Sequence, residues 1–281
     1  MKNNQTNIKE LTPLLVDKFK LDRSQVTLLR TLDSMHPKCS SIYIEKSLFN
    51  TRKLDVSVSI QQPQCVHWYE YDAGDNFRGG ANSFISFPKE YVKKDQQLKS
   101  FIYAQLQNSR LACKTSFLML RLFKLRRTLP IEHYGYMGAR KAKSLRICSA
   151  ALTINELTFQ VPKLVTHYDE LFKKLSEAFS FKLSQNLSHE LSGPVGIEVH
   201  AKGQHVTATW LTLITTLIEL ELLDESHAQE ANPFIQKHFQ LSKYNPDNVS
   251  LVSPAHFKLV FHKMHLIEVK IYCKANTFPF F

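Results

Sequence analysis

Apolar residues in the first part of the chain recur at helical spacing. They are three or four positions apart, as on one face of an α-helix: Ile8, Leu11, Leu14, Leu15 and Phe19. A second helix is predicted from about Ser24, a favoured N-cap residue, to about His36-Pro37, where proline opposes continuation. Together the two segments predict a helical hairpin.

From Ser40 the period changes to two. Apolar and polar residues alternate through 42–44 and 54–60, and the segment 65–71 is rich in residues that favour strands. This pattern predicts an antiparallel meander. The same alternation returns near the end of the chain, where it predicts two strands on either side of 263–265.

The middle of the chain mixes helical and strand patterns. The apolar run 117–123 fits a buried helix or a strand, and we favour the helix. Segments 145–154 and 157–161 predict paired strands, whereas 165–181 predicts an amphipathic helix. Asp95 is expected to cap a further helix.

An interruption at 191–194 is the preferred domain boundary. After it, 195–200 and 205–211 predict a hairpin that turns at Lys202-Gly203, followed by helix to about residue 223 and a short helix over 233–241. Helices and strands without regular alternation indicate an α+β fold, with antiparallel sheet or sheets, packed helices and an N-terminal helical hairpin. We expect an α+β domain over residues 1–190, and a smaller α+β domain over 191–281 or a continuation of the first.

Composition is that of a globular protein, because 43% of the 281 residues are hydrophobic and 22% are charged. The polar start of the chain predicts no secretory leader. The most apolar stretch, 206–223, contains two glutamates and five threonines and is not expected to span a membrane. Five scattered cysteines indicate buried thiols in a reducing compartment, and the cytoplasm is the expected location. They are Cys39, Cys65, Cys113, Cys148 and Cys273.

Positive charge is concentrated between Lys114 and Arg146. Nine basic residues and one acid, Glu132, give these 33 residues +8 of the net charge of +11. Arginine can bind phosphate through two hydrogen bonds, and aromatic rings among cations suit single-stranded nucleic acid. The sequence therefore predicts a non-catalytic protein that binds DNA or RNA. The predicted binding residues are Arg121, Lys124, Arg126, Arg127, Tyr134, Tyr136, Arg140, Lys141, Lys143 and Arg146.

The segment 126–146 is expected to be an exposed loop or an element edge, because Pro130, Gly135 and Gly138 interrupt regular structure. Gly135–Gly138 resembles the GxxG loop of KH domains, but Lys141 replaces the usual apolar residue, and a flexible basic loop is the preferred interpretation. A solvated basic face, anionic lipid, an acidic protein partner and a homo-oligomer remain open alternatives.

A metal-dependent nuclease is the enzymatic alternative. Asp247 followed by Glu268 and Lys270 has the residue pattern of PD-(D/E)xK nucleases, in which two carboxylates hold a metal ion. Only eleven residues follow Lys270, too few to complete such a core, and Asp247 lies in a turn-like sequence. We expect that Asp247 and Glu268 do not share a metal ion.

The twelve histidines predict no metal site. His262 and His265 would point to opposite faces of a strand. His200 and His205 could meet across a hairpin, but no ligating carboxylate or cysteine is predicted beside them. Phosphate loops, nucleophile elbows and dinucleotide fingerprints are absent from the sequence. No catalytic residue, metal or cofactor is predicted, which argues against an enzyme.

Overall fold

The computed structural model describes residues 6–37, 39–50, 54–62, 65–73, 81–86, 115–137, 144–187, 193–203, 207–245 and 247–279. The strands are β1 (Ser41–Ser47), β2 (Leu54–Gln62), β3 (Cys65–Ala73), β4 (Asn82–Ser86), β5 (Ile131–Tyr136), β6 (Leu145–Ser149), β7 (Phe179–Leu187), β8 (Val195–Ala201), β9 (His238–Leu241), β10 (Asn248–His262) and β11 (His265–Pro279). The described helices are α1 (Ile8–Phe19), α2 (Arg23–Met35), α3 (Thr115–Arg126), α4 (Ile154–Gln160), α5 (Pro162–His167), α6 (Asp169–Ser176), α7 (Thr207–Glu219) and α8 (Glu225–Ile235).

Ten of the strands form a closed antiparallel ring. Its order is β1-β2-β3-β4-β5-β6-β7-β8-β10-β11, and β11 pairs back onto β1. Ile44 faces Cys273 where the ring closes, and Phe257 faces Val199 between β10 and β8. Strand β9 lies outside the ring, beside the first half of β10. The fold is a closed ten-stranded antiparallel β-barrel with helices packed against it.

Strand alternation places apolar and polar side chains in two different environments. On β11, Val269, Ile271 and Cys273 are fully buried on the outer face, where the Cys273 thiol donates a hydrogen bond to the Phe234 carbonyl oxygen of α8 at 3.1 Å. The intervening Tyr272 and Lys274 line the interior of the barrel. The hydrophobic core is therefore the layer between the barrel and the helices, and charged and aromatic side chains line the lumen.

Aromatic contacts join the helices to this outer face. Phe19 of α1 stacks on Phe234 of α8, with ring centroids 4.3 Å apart. Trp210 of α7 is fully buried between Phe179 and Phe257, at centroid distances of 5.6 and 5.4 Å. Trp210 thus covers apolar strand residues that would otherwise face water, and the Phe19–Phe234 contact joins α1 to α8.

The predicted fold class is wrong. The sheet is one closed barrel, whereas we predicted an α+β fold with antiparallel sheet or sheets, packed helices and an N-terminal helical hairpin. The two N-terminal helices are present, but they belong to the helical layer of the barrel. Alternation along a strand has the same period in open and closed sheets, so it could not reveal closure. Strands on both sides of 191–194 lie in the same ring, since β7 pairs with β8.

Several element predictions are confirmed. The meander is present as β1, β2 and β3, the run 117–123 lies in α3, and two strands flank 263–265. The N-cap of α2 is Asp22 rather than Ser24, because the Asp22 carboxylate accepts a hydrogen bond from the backbone N–H of Gln25 at 2.9 Å.

Other element predictions are wrong. The segment 157–161 belongs to α4 and its end, because Thr153 and Glu156 form a capping box that starts this helix. The segment 165–181 spans α5, α6 and the start of β7, and 207–211 begins α7 rather than a hairpin strand. The segment 233–241 contains the end of α8 and then β9. The helix predicted after Asp95 lies outside the described residues.

Four cysteines, Cys39, Cys65, Cys148 and Cys273, are buried free thiols, and Cys113 lies outside the described residues. Among the helices that the structure describes, none has the length and apolar character needed to cross a membrane.

Trp210→Ala should lower the free energy of unfolding by about 3–5 kcal/mol, because it removes a large fully buried ring and leaves a cavity. Urea denaturation measures this loss. Leu211→Ala, next to it on α7, is the matched control; Leu211 is 44% exposed, and its loss should stay under about 1 kcal/mol. Equal losses in the two variants would contradict the assignment of Trp210 to the core.

Candidate active site in the barrel lumen

The lumen holds a cavity of about 620 Å³. Each of the ten strands of the ring contributes lining residues. They are Tyr43, Ser57, Trp68, Glu70, Phe84, Glu132, His133, Arg146, Cys148, Lys182, Ser184, Glu198, His200, Ser253, Pro254, Ala255, His256, Lys258, Tyr272 and Lys274. Four basic side chains and three carboxylates thus share one cavity with aromatic rings.

A row of alternating charge crosses one wall of the cavity. Strand register places Lys258 of β10 opposite Glu198 of β8, and Glu198 opposite Lys182 of β7. Lys258 Nζ lies 3.6 Å from Glu198 Oε1 and donates a hydrogen bond to Ser184 Oγ at 2.9 Å. Lys182 Nζ donates to Glu132 Oε2 at 2.7 Å. Carboxylates from other strands hold both ammonium groups at the cavity.

Two further cations lie on other parts of the wall. Arg146 Nε donates to Asn186 Oδ1 at 2.9 Å, and its Nη1 is 3.9 Å from Glu70 Oε2. Lys274 Nζ lies 5.9 Å from the centre of the Tyr43 ring. Among the described residues, Lys274 has no carboxylate partner. Its charge is therefore available to a ligand.

Aromatic rings make up much of the remaining surface. Tyr43 packs edge-on against Trp68 with centroids 5.0 Å apart, and Trp68 packs edge-on against His133 at 6.3 Å. On β8, β10 and β11, the rings of His200, His256 and Tyr272 form a stack with successive centroid distances of 4.6 and 4.2 Å. The cavity can accept a ligand that has both an anionic and an apolar part.

Burial sets most protonation states in the lumen. It raises the pKa of Tyr43 and of Cys148 to about 12. Burial also lowers the pKa of His256 well below 6.5. Burial opposes the charge on Glu198, but the hydrogen bond from His200 and the charge of Lys258 hold its pKa well below 4.5. At neutral pH the lumen therefore combines an ionised Glu198 with a neutral His256.

Two glycines make room for lumen side chains. A Cβ atom on Gly135 would lie 2.0 Å from the Phe84 ring, and one on Gly196 would lie 2.4 Å from Lys258 Cε. Any larger residue at these positions would displace the ring or the ammonium group. The absence of a side chain at Gly196 thus fixes where the Lys258 charge lies.

A buried ion pair lies beside the cavity. Lys270 of β11 donates to the Glu45 carboxylate of β1, and Lys270 Nζ is 3.5 Å from Glu268 Oε2. Burial opposes the charge on both groups, but their mutual attraction lowers the pKa of Glu45 and raises that of Lys270. The pair therefore remains ionised inside the protein.

The predicted nucleic-acid-binding residues do not form one surface. Lys124 and Arg127 are exposed at the end of α3, with Arg121 and Arg126 half-buried on the same helix. Tyr134 is buried in the core, Tyr136 is half-buried in β5, and Arg146 lines the lumen. Arg140, Lys141 and Lys143 lie outside the described residues.

The expectation of an exposed loop or an element edge over 126–146 is wrong for its strand residues, because 131–136 and 145–146 lie within the ring. Gly135 is part of β5 and contacts Phe84, so it is not in a phosphate-clamping loop.

The register also separates the residues of the nuclease alternative. Asp247 precedes the first residue of β10, whereas Glu268 pairs with Val260 near the other end of that strand. Twelve strand residues between Asn248 and Val260 span about 40 Å at roughly 3.3 Å per residue. Asp247 and Glu268 therefore do not form a metal site together, and Lys270 is bound to Glu45.

Comparison with solved structures identifies a similar fold. The crystal structure of AnaPT from Neosartorya fischeri, a prenyltransferase, aligns with a TM-score of 0.56 and 9% sequence identity, over 95% of this chain and 91% of that chain. The likeness is one of fold. No family model matches the chain, and no curated protein matches it.

The predicted nucleic-acid-binding function is wrong. The barrel resembles that of a prenyltransferase, and no finding supports DNA or RNA binding. The prediction failed because it grouped cations by their distance along the chain. The lumen instead gathers Lys182, Lys258 and Lys274 from three different strands. Among the described residues of the predicted basic cluster, only Arg146 lines it.

Sequence reasoning missed most of the lumen residues, although a signal was present. Lys182, Glu198, Lys258, Lys270 and Lys274 each stand between apolar neighbours in a strand. A charged residue at alternate positions on nearly every strand would have indicated a polar interior.

Lys270→Met should lower the free energy of unfolding by about 3–5 kcal/mol, because it leaves the buried Glu45 carboxylate without its counter-charge. Glu45→Gln combined with Lys270→Met should recover most of that loss. Urea denaturation of the single and double variants measures the difference. If the double variant is as unstable as Lys270→Met alone, the destabilisation does not come from an uncompensated charge.

Acid should lower the free energy of unfolding of the parent protein by protonating Glu45 of the Glu45–Lys270 pair. The folded pKa of Glu45 lies below its usual 4.5, so its contribution to stability is complete above about pH 4.5 and is lost as the pH falls below that value. Stability measured against pH should therefore fall less steeply in the Glu45→Gln, Lys270→Met double variant than in the parent protein.

Proposed function

We propose that this protein transfers a prenyl group from an isoprenoid diphosphate to an acceptor bound in the barrel lumen. The observation that carries the proposal is the lumen itself, a cavity of about 620 Å³ with four basic side chains and aromatic walls. The fold shared with AnaPT, a prenyltransferase, supports the same reaction class.

The cations provide a site for the diphosphate. Lys182 of β7 and Lys258 of β10 lie on either side of β8 and are held by Glu132, Glu198 and Ser184. Lys274 lies on β11, the strand next to β10. Ammonium groups fixed before the substrate binds stabilise the negative charge that develops on a departing diphosphate. Because they lie in a partly water-excluded cavity, their effect exceeds that of exposed lysines.

The rings suit the isoprenoid chain and the positive charge that forms on it. Tyr43, Trp68 and Phe84 offer apolar surface, and an aromatic face attracts a cation at close range. An allylic carbocation enclosed by these rings is protected from water, which would otherwise capture it.

The reaction balances without an oxidant or a reductant. The C1–O bond of the prenyl diphosphate breaks, and the bonding electrons leave with the diphosphate. A nucleophilic atom of the acceptor supplies the electron pair for the new bond to C1 and then loses a proton. We assign the ionised Glu132, whose pKa is lowered by His133 and Lys182 against the effect of burial, as acceptor of that proton.

Lys258→Met should weaken binding of inorganic pyrophosphate and of geranyl diphosphate about 10- to 100-fold. A hydrogen bond to a charged group contributes about 1.5–3 kcal/mol, and 1.4 kcal/mol is tenfold in affinity. Isothermal titration calorimetry measures both ligands. Lys243→Met, at an exposed lysine outside the barrel, is the control and should leave both affinities unchanged. Equal affinities in all three proteins would overturn the diphosphate site.

A pair of glycine variants tests the position of the same charge without removing it. Gly196→Ala places a methyl group against Lys258 Cε and should weaken pyrophosphate binding, whereas Gly193→Ala meets no atom within 4 Å and should not.

Product formation from dimethylallyl, geranyl and farnesyl diphosphates with aromatic acceptors, followed by mass spectrometry, tests transfer itself. If the protein binds the diphosphates but forms no prenylated product, the lumen is a diphosphate-binding site and the proposed transfer activity is wrong.

A further inference from the structure

Three side chains in the lumen bring together the donor atoms of a metal site. Glu198 and His200 are two residues apart on β8, so both face the lumen, and His256 comes from the adjacent β10. One ligand atom from each residue lies within 4.8 Å of the other two. A register shift between Pro254 and His256 turns the His256 ring towards His200. Bulges of this kind often redirect a side chain beside a functional site.

We propose that Glu198, His200 and His256 bind one divalent transition-metal ion of the Zn²⁺ class. Two imidazoles and one carboxylate form a donor set that suits Zn²⁺ and Co²⁺ better than Mg²⁺, which prefers oxygen ligands.

Distances around Glu198 fit this role. Glu198 Oε2 and His200 Nε2 are 3.3 Å apart, which is about the separation of two ligands on a tetrahedral ion with bonds of roughly 2.0–2.1 Å. The other carboxylate oxygen, Oε1, accepts a hydrogen bond from the Cys148 thiol at 3.1 Å and lies 3.6 Å from Lys258 Nζ. One oxygen is therefore directed to the metal while the other is held by neighbouring groups, as in many metal sites.

Binding requires a change in one ring. The His200 and His256 rings are stacked at an interplanar angle of 21°, and Tyr272 stacks on the other face of His256 at 14°. His256 must rotate about its Cβ–Cγ bond to direct a nitrogen at the ion, which alters its contact with Tyr272. Lys258 can stay in place, because it also donates to Ser184 Oγ. Three protein ligands leave a fourth coordination position open to the cavity.

The site does not depend on prenyl transfer, so it can be tested with the metal alone. The full chain is treated with a chelator, desalted and titrated with Zn²⁺ by calorimetry and with Co²⁺ by visible absorption. We expect one ion per chain at this site and the intense visible bands of low-coordinate Co²⁺. Tyrosine fluorescence should change on binding, because the Tyr272 stack is altered.

Variants locate the ion. His200→Ala and His256→Ala should each lower the affinity by about 100-fold or more, since loss even of a group that only supports a ligand costs 10- to 100-fold. His133→Ala, in the same cavity, and the exposed His265→Ala are matched controls and should retain the parent affinity. His256→Gln serves if the alanine variant fails to fold, as judged by circular dichroism.

Two results would overturn the proposal. One is no uptake of Zn²⁺ or Co²⁺ by the parent chain, and the other is an affinity that stays the same in His200→Ala and His256→Ala. Pyrophosphate binding in the metal-free protein is measured separately. Failure of the metal site therefore leaves the proposed diphosphate site intact, and failure of the diphosphate site leaves the metal site intact.

Discussion

Backbone pairing between β1 and β11 closes the sheet, and the remaining architecture depends on it. These strands lie near opposite ends of the chain, and six residue pairs from Ile42↔Ala275 to Ser47↔Lys270 join them. Closure removes two open sheet edges, which would otherwise expose unpaired N–H and C=O groups. It also gives the two faces of the sheet different surroundings, since one now encloses a lumen and the other faces outwards. The outer face holds the helices through apolar side chains, whereas the residues that line the lumen include charged and polar side chains.

Charged side chains that face the lumen are partly removed from water, and pairing with opposite charges on other strands offsets the cost of that desolvation. Removing an ion from water is costly, and an isolated buried charge would lose its proton or gain one. Lys182, Lys258 and Lys270 instead each lie beside a glutamate on another strand. A ligand that carries several negative charges meets cations that are already desolvated and positioned. The stability of the lumen and its capacity to bind an anion therefore have the same origin.

Local structure could largely be read from the sequence, whereas closure and the site could not. The apolar face of α1, the meander β1 to β3 and the last two strands follow from short-range periodicity, which depends on neighbouring residues. The segment 157–161 was mistaken for a strand because apolar content outweighed the Thr153–Glu156 capping box. The lumen requires residues from ten strands, and strand order is not encoded in any single segment. His200 was dismissed for want of a nearby carboxylate, although Glu198 stands two positions earlier and therefore on the same face.

Strand β10 is not paired along the whole of one edge. Along one edge it pairs with β9 through Val252 and with β8 from Phe257, so the four residues 253–256 have no strand partner on that side among the described elements. Ser253, Pro254, Ala255 and His256 all line the cavity. On that side the backbone of these four residues is not held by ladder hydrogen bonds to a described strand, whereas on the other side β10 pairs with β11. A local change in the backbone of residues 253–256 therefore alters the cavity lining without breaking a described ladder hydrogen bond on that edge.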